Sequence, residues 1–162
     1  MFQNIFRLSG MTGLATMVFS ASVQSAEITQ EIYCMQQTPE RENGYIFQGV
    51  VYSKNGREHR LKISELGIGL LTSQGDGTVD EVLYEGDEYI NSDTELTARS
   101  PQWRDAIPFL LPYEQRGNQF ILYIEKNGFQ PARNNQERFK ARMKVTSQIG
   151  RETNFIFMCN AI

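Results

Sequence analysis

The chain has 162 residues, and 16 Lys and Arg residues against 19 Asp and Glu residues give it a formal net charge of −3 at pH 7. A weakly acidic chain lacks the strongly basic surface that general nucleic-acid binding requires, so we expect no nucleic-acid partner. The chain also holds only two cysteines and one histidine. These cannot form a Cys/His metal site with ordinary ligand spacing, and no phosphate-binding glycine loop occurs, so we expect no cofactor.

Residues 1–26 have the composition of an export signal. Arg7 precedes an uncharged segment, residues 8–19, and small and polar residues then run to Ala26. A basic start, a short apolar run and a small-residue cleavage zone are the three parts of a secretory signal peptide, and the run is shorter than the ~20 residues that span a bilayer. We predict a cleaved signal peptide over residues 1–26 and a periplasmic or secreted domain over residues 27–162 without a transmembrane segment.

Cys34 and Cys159 lie near the two ends of this predicted mature domain. In an oxidising compartment an isolated pair of cysteines is most simply a disulfide. Closing so long a loop would stabilise the fold by up to about 5 kcal/mol, because it removes conformations from the unfolded chain. Both cysteines lie in strand-like stretches, so we predict that the first and last strands are neighbours or face each other across the core. The alternative, a pair of catalytic or metal-binding thiols, lacks a histidine or further cysteine nearby in the sequence.

An early hairpin has the clearest local signal. Residues 45–53 and 59–64 have strand character and flank Asn55-Gly56. Both central residues of a type I′ hairpin turn need positive φ, which Asn and Gly tolerate best. His59, the single histidine, falls on the apolar face of the second strand. We interpret it as an ordinary strand histidine rather than a catalytic base.

A second strand pair is predicted late in the chain. Residues 119–125 are densely apolar, and residues 137–147 alternate strictly between apolar and basic side chains. Such alternation places one face against the core and the other in water, as in an antiparallel sheet. The apolar face comprises Phe139, Ala141, Met143 and Val145. The basic face comprises Arg138, Lys140, Arg142 and Lys144.

The middle of the chain has less regular patterns. Residues 78–84 and 88–90 are predicted strands, residues 94–98 are predicted as a further strand, and residues 101–106 as a short helical turn. The apolar stretch 107–113 lacks alternation, and we expect it to plug one end of the core, with an exposed contact surface as the alternative. About eight short strands, one helical turn and no internal repeat indicate an all-β domain. The pattern does not decide between a small antiparallel β-barrel and a β-sandwich.

Charge is unevenly distributed along the chain. Residues 63–98 contain nine acids and no base, whereas the predicted basic face carries four cations. We hypothesise that Arg138, Lys140, Arg142 and Lys144 bind an anionic partner, such as the phosphate groups of a cell-envelope lipid or an acidic protein. Two solvated strand faces are the simpler alternative. The oxygen-bearing side chains of Asp76, Asp80 and Glu81 are a calcium candidate, but they lack the EF-hand spacing and a glycine-rich turn explains them without metal.

No group of residues in the sequence specifies a reaction. Our first hypothesis is therefore an exported, non-enzymatic binding or accessory protein that engages a partner through a sheet face or an edge strand. The first alternative is a lipocalin-like carrier of a small apolar ligand inside a barrel. The second is a small hydrolase that uses two carboxylates, for example Glu125 with Asp80 or Glu81. Whether the protein is an enzyme stays open, because no convergent catalytic groups are marked.

Overall fold

The computed structural model describes residues 27–38, 43–71, 77–99, 103–131 and 138–162. The predicted signal peptide, residues 1–26, lies outside the described residues and stays a prediction. The described strands are β1 (Glu27–Gln36), β2 (Asn43–Lys54), β3 (Glu58–Leu71), β4 (Gly77–Tyr84), β5 (Ile90–Asn91), β6 (Ala106–Gln115), β7 (Asn118–Glu125), β8 (Arg138–Thr146) and β9 (Glu152–Ala161). One α-helix, α1 (Thr94–Arg99), and a 3₁₀ turn (Lys126–Phe129) complete the described elements.

All of these strands belong to one antiparallel sheet. Its order is β4-β3-β2-β1-β9-β8-β7-β6, with β5 paired to β3. Consecutive strands are neighbours from β1 to β4 and from β6 to β9, and the pairing of β1 with β9 joins these two halves of the sheet. The sheet curls into an open half-barrel whose free edges are β4 and β6. The predicted all-β class is confirmed, and a single curled sheet replaces the two packed sheets of a sandwich.

Two hairpin turns set the register of this sheet. Asn55 and Gly56 both have positive φ, of 55° and 63°, between β2 and β3. The predicted Asn-Gly turn is therefore confirmed. Arg116 and Gly117 have the same pair of positive angles, 54° and 72°, between β6 and β7. That turn was not predicted, because Arg at the first position gives no turn signal.

The disulfide lies in the centre of the sheet. Cys34 and Cys159 are directly opposite each other on β1 and β9, their Cα atoms are 4.0 Å apart, and they are bonded. Both are fully buried in the main core cluster, beside Ile32 and the edge-to-face pair Phe47 and Phe157. The predicted disulfide and the predicted contact between the first and last strands are both confirmed.

Two glycines allow β4 to coil over β3. The pairing register shifts twice in this region, between Leu66 and Gly67 and between Ile68 and Gly69. A Cβ on Gly69 would collide with the carbonyl oxygen of Thr78, and a Cβ on Gly67 would collide with the Val79 side chain. Strands can approach this closely only where the side chain is a hydrogen atom. The bulged, glycine-containing segment thus fixes where the free edge of β4 runs.

The region from residue 94 to residue 113 differs from its prediction. Residues 94–98 belong to α1 rather than to a strand, because Asp93 caps the helix: its Oδ1 accepts hydrogen bonds from the amides of Glu95 (3.0 Å) and Leu96 (3.4 Å). The predicted helical turn at 101–106 is described only from Trp103, where a turn runs to Asp105 before β6 begins. Within the described ranges, no helix is long and apolar enough to cross a membrane.

The apolar stretch 107–113 is strand β6, not a plug. Ile107, Phe109, Leu111 and Tyr113 point into the core cluster. Leu110 and Pro112 lie on the opposite face and are exposed. Proline is tolerated here because β6 is an edge strand, where a missing N–H need not interrupt a ladder. The absence of polar residues concealed the alternation in the sequence.

Candidate functional site

The basic face of β8 has the predicted orientation. Phe139, Ala141 and Met143 are buried in the core, and the four cations lie on the outer surface of the sheet. We call Arg138, Lys140, Arg142 and Lys144 the β8 basic face. The strand order puts four strands between β8 and the acidic edge strand β4. The two charged regions of the sequence are therefore carried by separate parts of the sheet.

Two of the four cations have partners within the protein. The Arg142 guanidinium lies 4.9 Å from the centre of the Trp103 ring, and the same indole stacks on Tyr123 at 4.3 Å with 14° between the planes. Lys144 Nζ is 2.9 Å from Glu152 Oε1, and its side chain is only 21% exposed. Arg142 and Lys144 are therefore engaged in packing and in an ion pair, and they are less available to an outside ligand than the sequence suggested.

Trp103 and Tyr123 belong to a second, smaller cluster on the outside of the sheet. Ala106 and Ile121 complete it, and Leu96 of α1 packs against it. Tyr123 is only 2% exposed although it points away from the main core. Burial raises the pKa of the Tyr123 hydroxyl, while the charge of Lys144 opposes that rise. The cluster is therefore a buried support beside Arg142 of the β8 basic face, and no local pattern in the sequence predicts it.

Arg138 and Lys140 remain available to an outside ligand. Both side chains are exposed, and neither has a carboxylate oxygen within 4.0 Å among the described residues. The backbone amide of Lys140 donates a hydrogen bond to Glu125 Oε2 at 2.9 Å, which holds that carboxylate beside the strand. On the adjacent strand β9, Ile156 is 45% exposed. These two cations, which have no ion-pair partner among the described residues, and Ile156, diagonally next to Lys140, form the accessible part of the face.

The acidic candidates do not form a metal site in the described part of the chain. Asp76 lies outside the described residues, and Asp80 and Glu81 are exposed on β4. No group of three His, Cys, Asp or Glu side chains that could hold a metal occurs within the described ranges. The calcium hypothesis stays a prediction. Glu125, which the hydrolase hypothesis pairs with Asp80 or Glu81, lies on β7, next to the edge strand β6.

His59 packs as a strand histidine. Its ring meets the edge of Phe129 at 4.8 Å, and burial lowers its pKa below the ordinary value of 6.5, with a backbone interaction at Gly56 opposing and Lys126 reinforcing the shift. Ser53 lies directly opposite on β2 and is 1% exposed. Ser53 Oγ and His59 Nδ1 have no hydrogen-bond partner of ordinary geometry in the described structure. A nucleophile needs a hydrogen bond to its base, and this pair has none.

A groove between the two free edges of the sheet was not predicted. We call it the seam groove; it has a volume of about 400 Å³ and is lined by Tyr84, Asp87, Glu88, Tyr89, Ile90, Leu110 and Pro112. Its residues come from two segments far apart in the sequence. Only the curl of the sheet brings the loop after β4 next to β6, so no local pattern could have revealed the groove.

Comparisons with known proteins give no relative for this arrangement. No protein-family model, no curated protein and no solved structure matches the chain. The function must therefore be inferred from the geometry of the site itself.

Proposed function

We propose that the domain is an exported, non-enzymatic binding protein whose β8 basic face engages an anionic partner. The observation that carries this proposal is the exposure of Arg138 and Lys140 without an ion-pair partner among the described residues. The disulfide between Cys34 and Cys159 is compatible with an oxidising compartment. A periplasmic or extracellular location and the cleaved signal peptide are part of the same proposal.

The spacing of the two cations suits an acidic group. Residues two apart on a strand lie on the same face, about 6.6 Å apart at 3.3 Å per residue. The guanidinium of Arg138 can hold two oxygens of one phosphate or carboxylate, while Lys140 contributes a point charge beside it. Exposed charge pairs contribute about 1 kcal/mol or less, so binding through this face should weaken as salt rises.

Ile156 adds an apolar contact to this surface. It is paired in register with Arg142, which places it diagonally next to Lys140 on the outer face. Diagonal cross-strand neighbours lie about 7–8 Å apart, within reach of one bound molecule. The combination favours a partner that presents an acidic group next to an apolar one, either an anionic envelope lipid or an acidic protein.

The two alternative functions have less support. A carrier needs an internal cavity, whereas the inward side chains of the described strands pack against one another in a single cluster around the disulfide. A hydrolase needs two carboxylates at one water molecule, whereas Glu125 lies on β7 and its proposed partners Asp80 and Glu81 lie on β4, the edge strand at the other end of the strand order. Partner binding is the function that the arrangement of side chains favours.

The proposal is tested by co-sedimentation with phosphatidylglycerol vesicles and by binding of labelled polyglutamate. We expect at least one of these probes to bind, and Arg138→Gln/Lys140→Gln to weaken that binding by about fivefold, which corresponds to about 1 kcal/mol. The matched control is Arg57→Gln/Arg116→Gln, which removes two exposed cations from hairpin turns and should change the affinity little. Equal losses in both variants, or no binding of either probe at low salt, would refute the proposal.

A further inference from the structure

Among the described residues, backbone hydrogen bonds close the open side of the half-barrel at one end only. β5 pairs with β3, and the amide of Asp93 donates a hydrogen bond to the carbonyl of Pro108 at 2.9 Å. In the described residues, no other backbone hydrogen bond joins the segment of residues 84–93 to β6. Further along, the rings of Tyr84 and Tyr113 meet with their centres 6.1 Å apart. The seam groove is the gap between these two contacts.

Apolar side chains form both walls of the seam groove. On the β6 side, Leu110 is 40% exposed beside Pro112. On the other side, Tyr89 is 43% exposed beside Ile90. The helix α1 packs against β6, but Leu110 and Pro112 remain uncovered. Large apolar side chains that line one groove form a continuous surface suited to binding. Apolar side chains that are exposed singly do not form such a surface.

The rim of the groove is acidic. Asp87 and Glu88 line it, and Glu81 lies close enough to add to the raised pKa of Tyr113, after burial and Tyr45. The one cation within 4.0 Å of these acids in the described ranges is Lys62, whose Nζ is 3.8 Å from Asp87 Oδ1. That distance and the full exposure of Asp87 make the pair weak. The groove therefore has a net negative rim, and charge complementarity requires a cationic occupant.

The free edge of β6 limits how such an occupant can bind. The carbonyl of Pro108 faces the seam, since it accepts the Asp93 amide. Proline has no N–H, so this edge offers fewer donors to an added strand than an ordinary edge. Side-chain contacts with the apolar walls and the acidic rim must then provide most of the affinity.

We propose that the seam groove binds an extended segment of a partner protein in which Lys or Arg alternates with apolar side chains. The apolar side chains contact Leu110 and Pro112, and the cations lie against Asp87, Glu88 and the ring of Tyr89. This surface is separate from the β8 basic face and selects the opposite charge. The two proposals can therefore fail independently.

The test measures the fluorescence anisotropy of a short labelled peptide of alternating lysine and leucine, with alternating glutamate and leucine as the comparison peptide. Only the lysine peptide should bind. Asp87→Asn/Glu88→Gln should weaken its binding by about fivefold, whereas the control Glu31→Gln/Asp105→Asn, which removes two exposed acids elsewhere, should change it by less than about twofold.

A second pair of variants tests the apolar walls. Leu110→Ser should weaken binding of the lysine peptide by about fivefold, while Leu70→Ser, a similarly exposed leucine on β3, should leave it unchanged. Equal losses in both acidic variants, binding of the glutamate peptide, or no binding of either peptide would overturn the proposal. Self-association in sedimentation velocity that disappears in Asp87→Asn/Glu88→Gln would overturn it as well, because the groove would then hold a second copy of the chain.

Discussion

The guanidinium of Arg142 lies 4.9 Å from the centre of the Trp103 ring, and the same indole stacks on Tyr123. One cation of the β8 basic face is thereby held by the small outer cluster that α1 covers. Arg142 therefore has a structural role, whereas Arg138 and Lys140 are exposed and can bind an outside ligand. Four side chains that look alike in the sequence thus have different roles.

A double-mutant cycle should measure this contact. Changing Arg142→Met and Trp103→Leu singly and together should give a coupling free energy of about 0.5–1 kcal/mol in urea unfolding, the range for a cation above an aromatic ring near the surface. The matched cycle uses Lys144→Met with Trp103→Leu. Lys144 contacts Glu152 rather than the indole, so that cycle should give no coupling. Similar values in the two cycles would show that the ring contact contributes nothing specific.

The disulfide should contribute a large part of the stability. Cys34→Ala/Cys159→Ala should lower the free energy of unfolding by about 2–5 kcal/mol, because the bond closes a loop with a sequence separation of 125 and both sulfurs are buried. Urea denaturation of the variant and of the chemically reduced protein measures the loss. An unchanged midpoint in both samples would contradict the assignment of the bond as a structural element.

Acid should destabilise the end of the core around His59. Burial lowers the pKa of His59 in the folded state, so the unfolded chain binds the proton more readily. The contribution of His59 to the free energy of unfolding is therefore fully present above the ordinary pKa of 6.5, and it declines as the pH falls below that value. The measurement is the urea midpoint between neutral and mildly acidic pH.

His59→Phe is the matched variant for the acid effect. It keeps an aromatic ring against Phe129 and removes the titrating group. Its stability should change less than that of the wild type over the same pH range. If both proteins lose stability in parallel, the acid effect comes from other groups and the argument about His59 is wrong.

Gly69→Ala should be costly although it adds a single methyl group. Its Cβ would collide with the carbonyl oxygen of Thr78 in the paired strand, so β3 and β4 must separate or shift register. We expect a loss of about 1–3 kcal/mol in urea unfolding, the range for overpacking. Ser64→Ala, an exposed position on the same strand, is the control and should change the stability little. A loss of the same size in both variants would contradict the role of the close approach.

Local patterns predicted the parts of the fold that depend on local chemistry. The alternation of residues 138–145 gave the two faces of β8, and Asn55-Gly56 gave the hairpin turn, because both signals lie within one or two strands. The pairing of Cys34 with Cys159 also followed, since two cysteines in an oxidising compartment leave one choice. None of these predictions needed the order of the strands in the sheet.

The features that were missed depend on contacts between distant segments. The helix α1 forms where a strand was predicted because Asp93 caps it and β6 supports it, and the short segment alone gives no helical periodicity. The stacking of Trp103 on Tyr123 and the seam groove each join segments that only the curled sheet brings together. For the same reason, the sequence could not show that Arg142 and Lys144 have partners while Arg138 and Lys140 have no ion pair among the described residues.

The most direct test of the proposed function is a backbone amide NMR titration of residues 27–162 with soluble short-chain phosphatidylglycerol and, separately, with polyglutamate. We predict that the shifts caused by at least one probe cluster at Arg138, Lys140 and Ile156, and that they disappear in Arg138→Gln/Lys140→Gln. Shifts confined to the seam groove or to the inward face of the sheet, or no shift with either probe at low salt, would contradict it.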